Sequence, residues 1–270
     1  PSPRAPTRMS WPPPWPQSRR YPTSVGVEAA LVIALYVVYD ASRGLVGGGR
    51  SAAIAHARTV VSWEQGASLG IERGVQRLAG DIPGLMSLFG WGYMTLHLGA
   101  TAAALVWLHR RRSERDDTTL RTSLLLASAL GLVGFVFFPT APPRLAAVGI
   151  ADSVSHAAVN LNSTSLRWLY NPYAAMPSMH VAYATLVGFS LAHHGRRRLW
   201  RSLGVLYPIW VATEVTATGN HFVLDVLAGV LVAGAALVGA HLIGERVAWR
   251  STRTTGPVLA PSVPQPARAA

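Results

Sequence analysis

Apolar and polar positions along this chain fall into long alternating blocks, with neither the two-residue period of a strand nor the single apolar stripe of a solvent-facing helix. Six blocks are predominantly apolar: residues 25–46, 85–108, 122–138, 178–194, 199–218 and 221–243. Apolar runs of about 17–25 residues are long enough to cross a bilayer as helices. Arginine clusters and prolines separate them, as in His109-Arg-Arg-Arg-Ser-Glu-Arg115, Pro139-Thr-Ala-Pro-Pro-Arg144 and His194-Gly-Arg-Arg-Arg198. Between the first two blocks, residues 47–83 mix Val60, Trp63, Leu69, Ile71, Val75 and Leu78 with Glu64, Glu72, Arg73 and Arg77. That density of mixing predicts helices lying on the membrane surface, with Glu64 and Glu72 on a solvated face. The expected fold is therefore all-α: a polytopic membrane protein of six transmembrane helices, with an amphipathic interfacial helical segment between the first two. Residues 1–24, Pro-rich and basic, are expected to be a disordered cytoplasmic tail, residues 25–245 one membrane domain, and residues 246–270 a second disordered cytoplasmic tail.

Composition sharpens this reading. Half of the 270 residues are hydrophobic, only 13 % are charged, and the mean hydropathy is +0.28, which argues against an ordinary soluble domain. There is no cysteine, so disulfides, thiolate nucleophiles and Cys-ligated metals are excluded. All 24 basic residues are arginine, which also removes lysine Schiff-base chemistry and a lysine phosphate clamp. A net charge of +12 could signal nucleic acid, but the arginines lie in short clusters between apolar blocks and form no aromatic-interleaved patch, so no nucleic-acid partner is expected. With six spans and an inside amino terminus, 17 of the 24 arginines fall on cytoplasmic segments. The positive-inside bias favours that orientation over its inverse, with both termini cytoplasmic. It also puts Arg144, His180 and His221, which come from three separate segments, on the same extracytoplasmic side.

Candidate chemistry concentrates in two stretches, Asn171-Pro-Tyr-Ala-Ala-Met-Pro-Ser-Met-His180 and Gly219-Asn-His-Phe-Val-Leu-Asp225. His221 and Asp225 are four apart, a spacing that puts both on one helix face, so the carboxylate can hold one ring nitrogen and leave the other to react. Pro177-Ser178 suits a helix start, which places His180 at a helix mouth. A histidine at a helix end is by itself more often a cap or interfacial group, but ionisable residues beside hydrocarbon are costly and mark function. His97, within the second block, reads as a bundle-packing residue, and His193-His194 as interfacial. An arginine fork binds phosphate, a carboxylate-oriented histidine can attack phosphorus, and a second histidine can protonate the departing oxygen. Metal binding by His180, His221 and Asp225 is the competing use, and it lacks the carboxylate-rich set for Mg²⁺ or another convergent ligand for Zn²⁺.

Pro177-Ser-Met-His180 resembles the second signature, and Gly219-Asn-His221 through Asp225 the third, of the phosphatidic acid phosphatase type 2 superfamily. Together with Pro139-Thr-Ala-Pro-Pro-Arg144, these stretches resemble more narrowly its inositol phosphotransferase branch, which includes inositol phosphorylceramide synthases. The resemblance covers roughly residues 50–245. It implies that His221 is the nucleophile, Asp225 its orienting carboxylate, His180 the acid/base at the leaving oxygen and Arg144 a phosphate ligand, with no metal and no cofactor. The chain departs from the phosphatase pattern in having no lysine and in carrying Glu214 and Val215 where a Ser-Arg pair precedes the nucleophile. Phosphate neutralisation then falls to Arg144, with Ser178, Asn220 or Arg167 as helpers.

The function expected is a lipid phosphotransferase or phosphatase of the bacterial plasma membrane, acting at the extracytoplasmic face on a phospholipid or polyprenyl phosphate. A phosphatidic acid-type or polyprenyl-phosphate phosphatase is the enzymatic alternative. A transporter would concentrate ionisable groups at mid-span, where only His97 and Glu214 stand, and a silent membrane scaffold is the remaining non-enzymatic reading.

Overall fold

The structure, a computed structural model, describes residues 49–110, 114–152 and 173–254. The expected first span, both terminal tails up to the last helix, Arg167 and the side chain of His97 lie outside the described residues. Seven α-helices and one 3₁₀ turn make up the described chain: α1 (Arg50–Gly66), α2 (Glu72–Gly80), α3 (Leu85–Arg110), α4 (Glu114–Phe137), the turn Pro143–Leu145, α5 (Met179–His194), α6 (Arg198–Ala217) and α7 (Val223–Thr254). The protein is all-helical over the described residues, with a single isolated bridge between Thr140 and Ala174.

Local chemistry sets the helix ends that matter for the site. Helix α4 runs into Pro139 and then Pro142-Pro143, whose missing N–H groups and fixed φ stop a helix. The extended Pro139–Pro142 stretch is pinned on both sides: Thr140 donates to the Tyr173 carbonyl at 2.7 Å, and Ala141 to that of Ala53 at 3.1 Å. The α6–α7 turn passes through Gly219 at φ +70°, a left-handed conformation that costs an L side chain about 1–2 kcal/mol. A Cβ at Gly219 would also press on Ile150.

Helix α5 is the hub, packed against α3, α4, α6 and α7, while α7 also packs on α4. Leu186 and Val187 of α5 are buried with Leu108, Leu120, Phe135 and Ala236 in the largest core cluster. A second cluster joins Ala53, Ala57 and Val60 of α1 to Ala141, Ala146 and Phe222. The bundle turns large apolar side chains outward, among them Phe137 at 79 % and Leu231 at 73 % exposure. So much apolar surface is untenable in water and suits a lipid surround.

Among the described residues, two helices are long and apolar enough to cross a membrane, over Thr118–Phe137 and Val223–Arg246. The second, fourth and fifth expected spans occur as helices but do not meet that measure, for visible reasons in the last two. Helix α5 has 16 residues and so a length of about 24 Å, short of a hydrocarbon core of about 30 Å. Helix α6 opens on Arg198 and Arg201 and carries Pro208 and Glu214. The six-span topology therefore remains an expectation.

One expectation is corrected. Glu64 and Glu72 do not form a solvated face: they are 2 % and 4 % exposed. The reason is that both carboxylates accept backbone N–H groups at the start of α7, Glu64 from Leu224 at 2.8 Å and Glu72 from Val223 at 3.0 Å.

Candidate active site

The site forms where the start of α5, the start of α7 and the 3₁₀ turn meet. Ser178 donates its backbone N–H to the Asp225 carbonyl at 3.0 Å, and Arg144 donates its own to the Gly219 carbonyl at 3.0 Å. These bonds bring three segments distant in sequence to one place. Close approach also depends on Gly229, one turn into α7 beyond Asp225, where a Cβ would collide with the Ser178 carbonyl oxygen.

His221 precedes α7; it is not on it, since the helix begins at Val223. The pairing inferred from helical spacing is thus a turn-to-helix contact, with Nδ1 of His221 3.5 Å from Oδ2 of Asp225. The shorter bond is to the backbone: Nδ1 lies 2.9 Å from the Ala175 carbonyl. A carbonyl can only accept, so this bond fixes the proton on Nδ1 and leaves Nε2 with its lone pair. Asp225 is fully buried, and its Oδ2 also accepts the Phe222 N–H at 2.9 Å.

His180, in the first turn of α5, stands beside His221 with ring centroids 5.9 Å apart. Its other face is stacked on Tyr93 of α3, centroids 4.3 Å apart and planes 18° from parallel. The stack fixes the ring plane, so the two imidazoles hold a defined mutual orientation. Tyr93 was not identifiable from sequence, being one aromatic in an apolar run.

Arg144 is buried beside Asn220, the residue before His221: its Nε donates to Asn220 Oδ1 at 3.0 Å and one terminal nitrogen to Asp152 Oδ2 at 3.1 Å. Asn220 in turn donates from its amide nitrogen to Thr218 Oγ1 at 2.9 Å. Both ends of the Asn220 amide are thus engaged within the protein, and the residue orients the guanidinium. Ser178 occupies the N-cap position of α5 but makes no side-chain cap bond. Its hydroxyl and Oδ1 of Asp225 are buried without a hydrogen-bond partner, although such groups ordinarily find one. Glu214 and Val215, which stand where the resemblance has the Ser-Arg pair, are both buried, and Glu214 accepts from Trp210 Nε1 at 3.0 Å.

Of the six residues singled out from sequence, His180 and His221 are in ring contact, Asp225 touches His221, and Arg144 is bonded to Asn220. Ser178 joins them through its backbone bond to Asp225. Sequence reasoning missed Asp152, Ala175 and Tyr93 as partners, and misplaced Glu64 and Glu72. Burial pushes the Glu64 carboxyl up to about 8; the Leu224 N–H opposes that, and Glu72 and Asp225 add to it. Among the described residues no group of three or more His, Cys, Asp or Glu side chains could hold a metal ion.

The arrangement can do one kind of chemistry well. A histidine with one nitrogen tethered and the other bare, a second histidine across from it and a buried guanidinium together suit nucleophilic attack on an anionic tetrahedral centre. The family model described as PAP2 superfamily matches residues 58–239 of the chain. No curated protein and no solved structure matches it.

Proposed function

The chain belongs to the PAP2 superfamily, and from that premise we propose that it is an integral membrane lipid phosphotransferase or phosphatase working through a phosphohistidine on His221. The observation that carries this reading is the pairing of the two imidazoles at 5.9 Å, one of them tethered through Nδ1. In the proposed reaction Nε2 of His221 attacks phosphorus, and the bond to the lipid or head-group oxygen breaks as His180 gives that oxygen its proton. The Ala175 carbonyl and Asp225 stabilise the positive charge that develops on the His221 ring. An acceptor hydroxyl, from water or a lipid alcohol, then loses its proton to His180 and attacks the phosphohistidine, freeing His221. Arg144, oriented by Asn220, and the unpartnered hydroxyl of Ser178 bind the phosphoryl oxygens.

The finer assignment is an inositol phosphotransferase-like activity at the extracytoplasmic face, supported by the three motifs and by the arginine distribution. Purified protein incubated with labelled phosphatidylinositol or a polyprenyl phosphate, with and without a lipid alcohol, separates transfer from hydrolysis. His221→Ala is expected to abolish turnover and the acid-labile phosphoenzyme while the protein still inserts in the membrane. Turnover retained by that variant refutes the mechanism.

A further inference from the structure

Three consecutive backbone N–H groups at the start of α7 are satisfied by three different carboxylates. Phe222 donates to Asp225, Val223 to Glu72 of α2 and Leu224 to Glu64 of α1, at 2.9, 3.0 and 2.8 Å. The first turn of a helix always leaves such donors open, and the positive end of the helix dipole favours negative partners. Here the partners come from 151 and 160 residues away in sequence. The helix end they hold is the one that carries Asp225 and follows directly on His221. Glu64 and Glu72 accept from adjacent N–H groups and are 2 % and 4 % exposed, so two carboxyl groups lie close together out of water, where like charges favour sharing one proton. An acid at Glu64 keeps its carbonyl oxygen for Leu224, so the cap bond is compatible with a carboxylic acid beside a carboxylate.

We propose that Glu64 and Glu72 form a single-proton clamp on the start of α7 that positions His221 and Asp225, and that loss of this proton sets the alkaline limit of the site. They are positioning residues, acting through the helix end. The titratable groups that act on Glu64 are Glu72 from α2 and Asp225 from α7. The segments 139–148 and 173–176, also packed on α1, turn Ala141, Ala146, Met176 and Tyr173 towards it, while Arg144 points to Asn220 and Asp152. Both charged groups that act on Glu64 are acidic, so a second negative charge would act directly on Asp225 and on the cap. Burial holds the Glu64 proton up to about pH 8. Because the folded state binds this proton more tightly than the unfolded chain, the clamp's contribution is full below the ordinary carboxyl range and is lost as pH rises through about 8.

The inference rests on the proposed function only for its catalytic consequence, and the test separates the two. Full-length protein in detergent is compared as wild type, Glu64→Gln and Glu64→Ala over pH 6–10, by infrared absorption of protonated carboxyl groups, by amide-exchange protection at residues 222–224 corrected for intrinsic rate, and by the pH profile of labelled phosphatidylinositol turnover. Glutamine mimics the protonated acid, accepting from Leu224 without a charge. Wild type is expected to lose a carboxyl band and severalfold protection as pH passes about 8. Glu64→Gln should lack that band, keep its protection at high pH and move the alkaline limb of turnover upward; Glu64→Ala should lose protection at every pH. A wild-type band and protection that do not titrate, or identical pH behaviour in wild type and Glu64→Gln, overturn the clamp. Absent turnover on every lipid, with the spectroscopic and exchange results as expected, supports the clamp and counts against the proposed function instead.

Discussion

At the scale of single residues, the division of labour between the two histidines is the feature open to the sharpest test. His221 has its Nδ1 committed to the Ala175 carbonyl, whereas the ring plane of His180 is fixed by its stack on Tyr93. General-acid assistance contributes about 10²–10⁴-fold, but only when the departing oxygen needs a proton. His180→Ala should therefore lose turnover by about that factor on a dialkyl or lipid phosphate ester and far less on an aryl phosphate, whose phenolate leaves unprotonated. His221→Ala should lose both substrates equally. Parallel rate measurements on the two ester classes check this; equal losses for His180→Ala on both would remove it from the acid role. Tyr93→Leu keeps bulk but not the stack, and is expected to weaken the same discrimination without affecting phosphoenzyme formation from the aryl ester.

At the scale of elements, the crossing of α5 and α7 decides whether those residues meet. Gly229 lets the backbone of α7 lie against the Ser178 carbonyl, and the Ser178 N–H to Asp225 bond depends on that contact. Overfilling a tight interface costs about 1–3 kcal/mol, so Gly229→Ala should lower thermal stability by that order. It should also reduce turnover more than binding, because the added carbon pushes His180 away from His221. A variant with unchanged kcat and melting temperature would show that the crossing has slack. The helices themselves were legible: the apolar blocks at 85–108, 122–138, 178–194, 199–218 and 221–243 each coincide with an observed helix with ends within a few residues, apart from the second, whose helix already starts at Glu114, and the last, which continues to Thr254. The two motifs were legible as chemistry because His, Asp and Ser beside apolar runs demand a reason. Glu64 and Glu72 were not, because carboxylates among exposed-looking arginines have the pattern of a solvated helix, and the N–H groups that bury them lie beyond any local window. The His221–Asp225 spacing suggested a shared helix face, but the helix begins two residues after His221, and a backbone carbonyl 46 residues away supplies the shorter bond.

At the scale of the whole molecule, the arginine asymmetry and the position of the site make one joint claim about the membrane. Arg196, Arg197 and Arg198 connect α5 to α6 at the ends opposite His180 and the α6–α7 turn, so if α5 and α6 cross the bilayer, the histidines open to the side opposite that cluster. If the positive-inside preference holds the cluster in the cytoplasm, α1 and α2, which bond to the start of α7, lie on the outer surface with Asp81 exposed at the end of α2. The absence of cysteine from all 270 residues makes this directly measurable, since any introduced thiol is unique. Asp81→Cys should react with a membrane-impermeant maleimide on intact cells, and Arg197→Cys, also exposed, only after the membrane is opened. Helix α5, with 16 residues, can separate the two positions only if the bilayer thins or the flanking arginines snorkel to its surface, both of which cost little. Labelling of Arg197→Cys in intact cells with Asp81→Cys protected would invert the molecule, moving the lipid phosphate it acts on to the inner leaflet; labelling of both would mean that α5 and α6 do not cross.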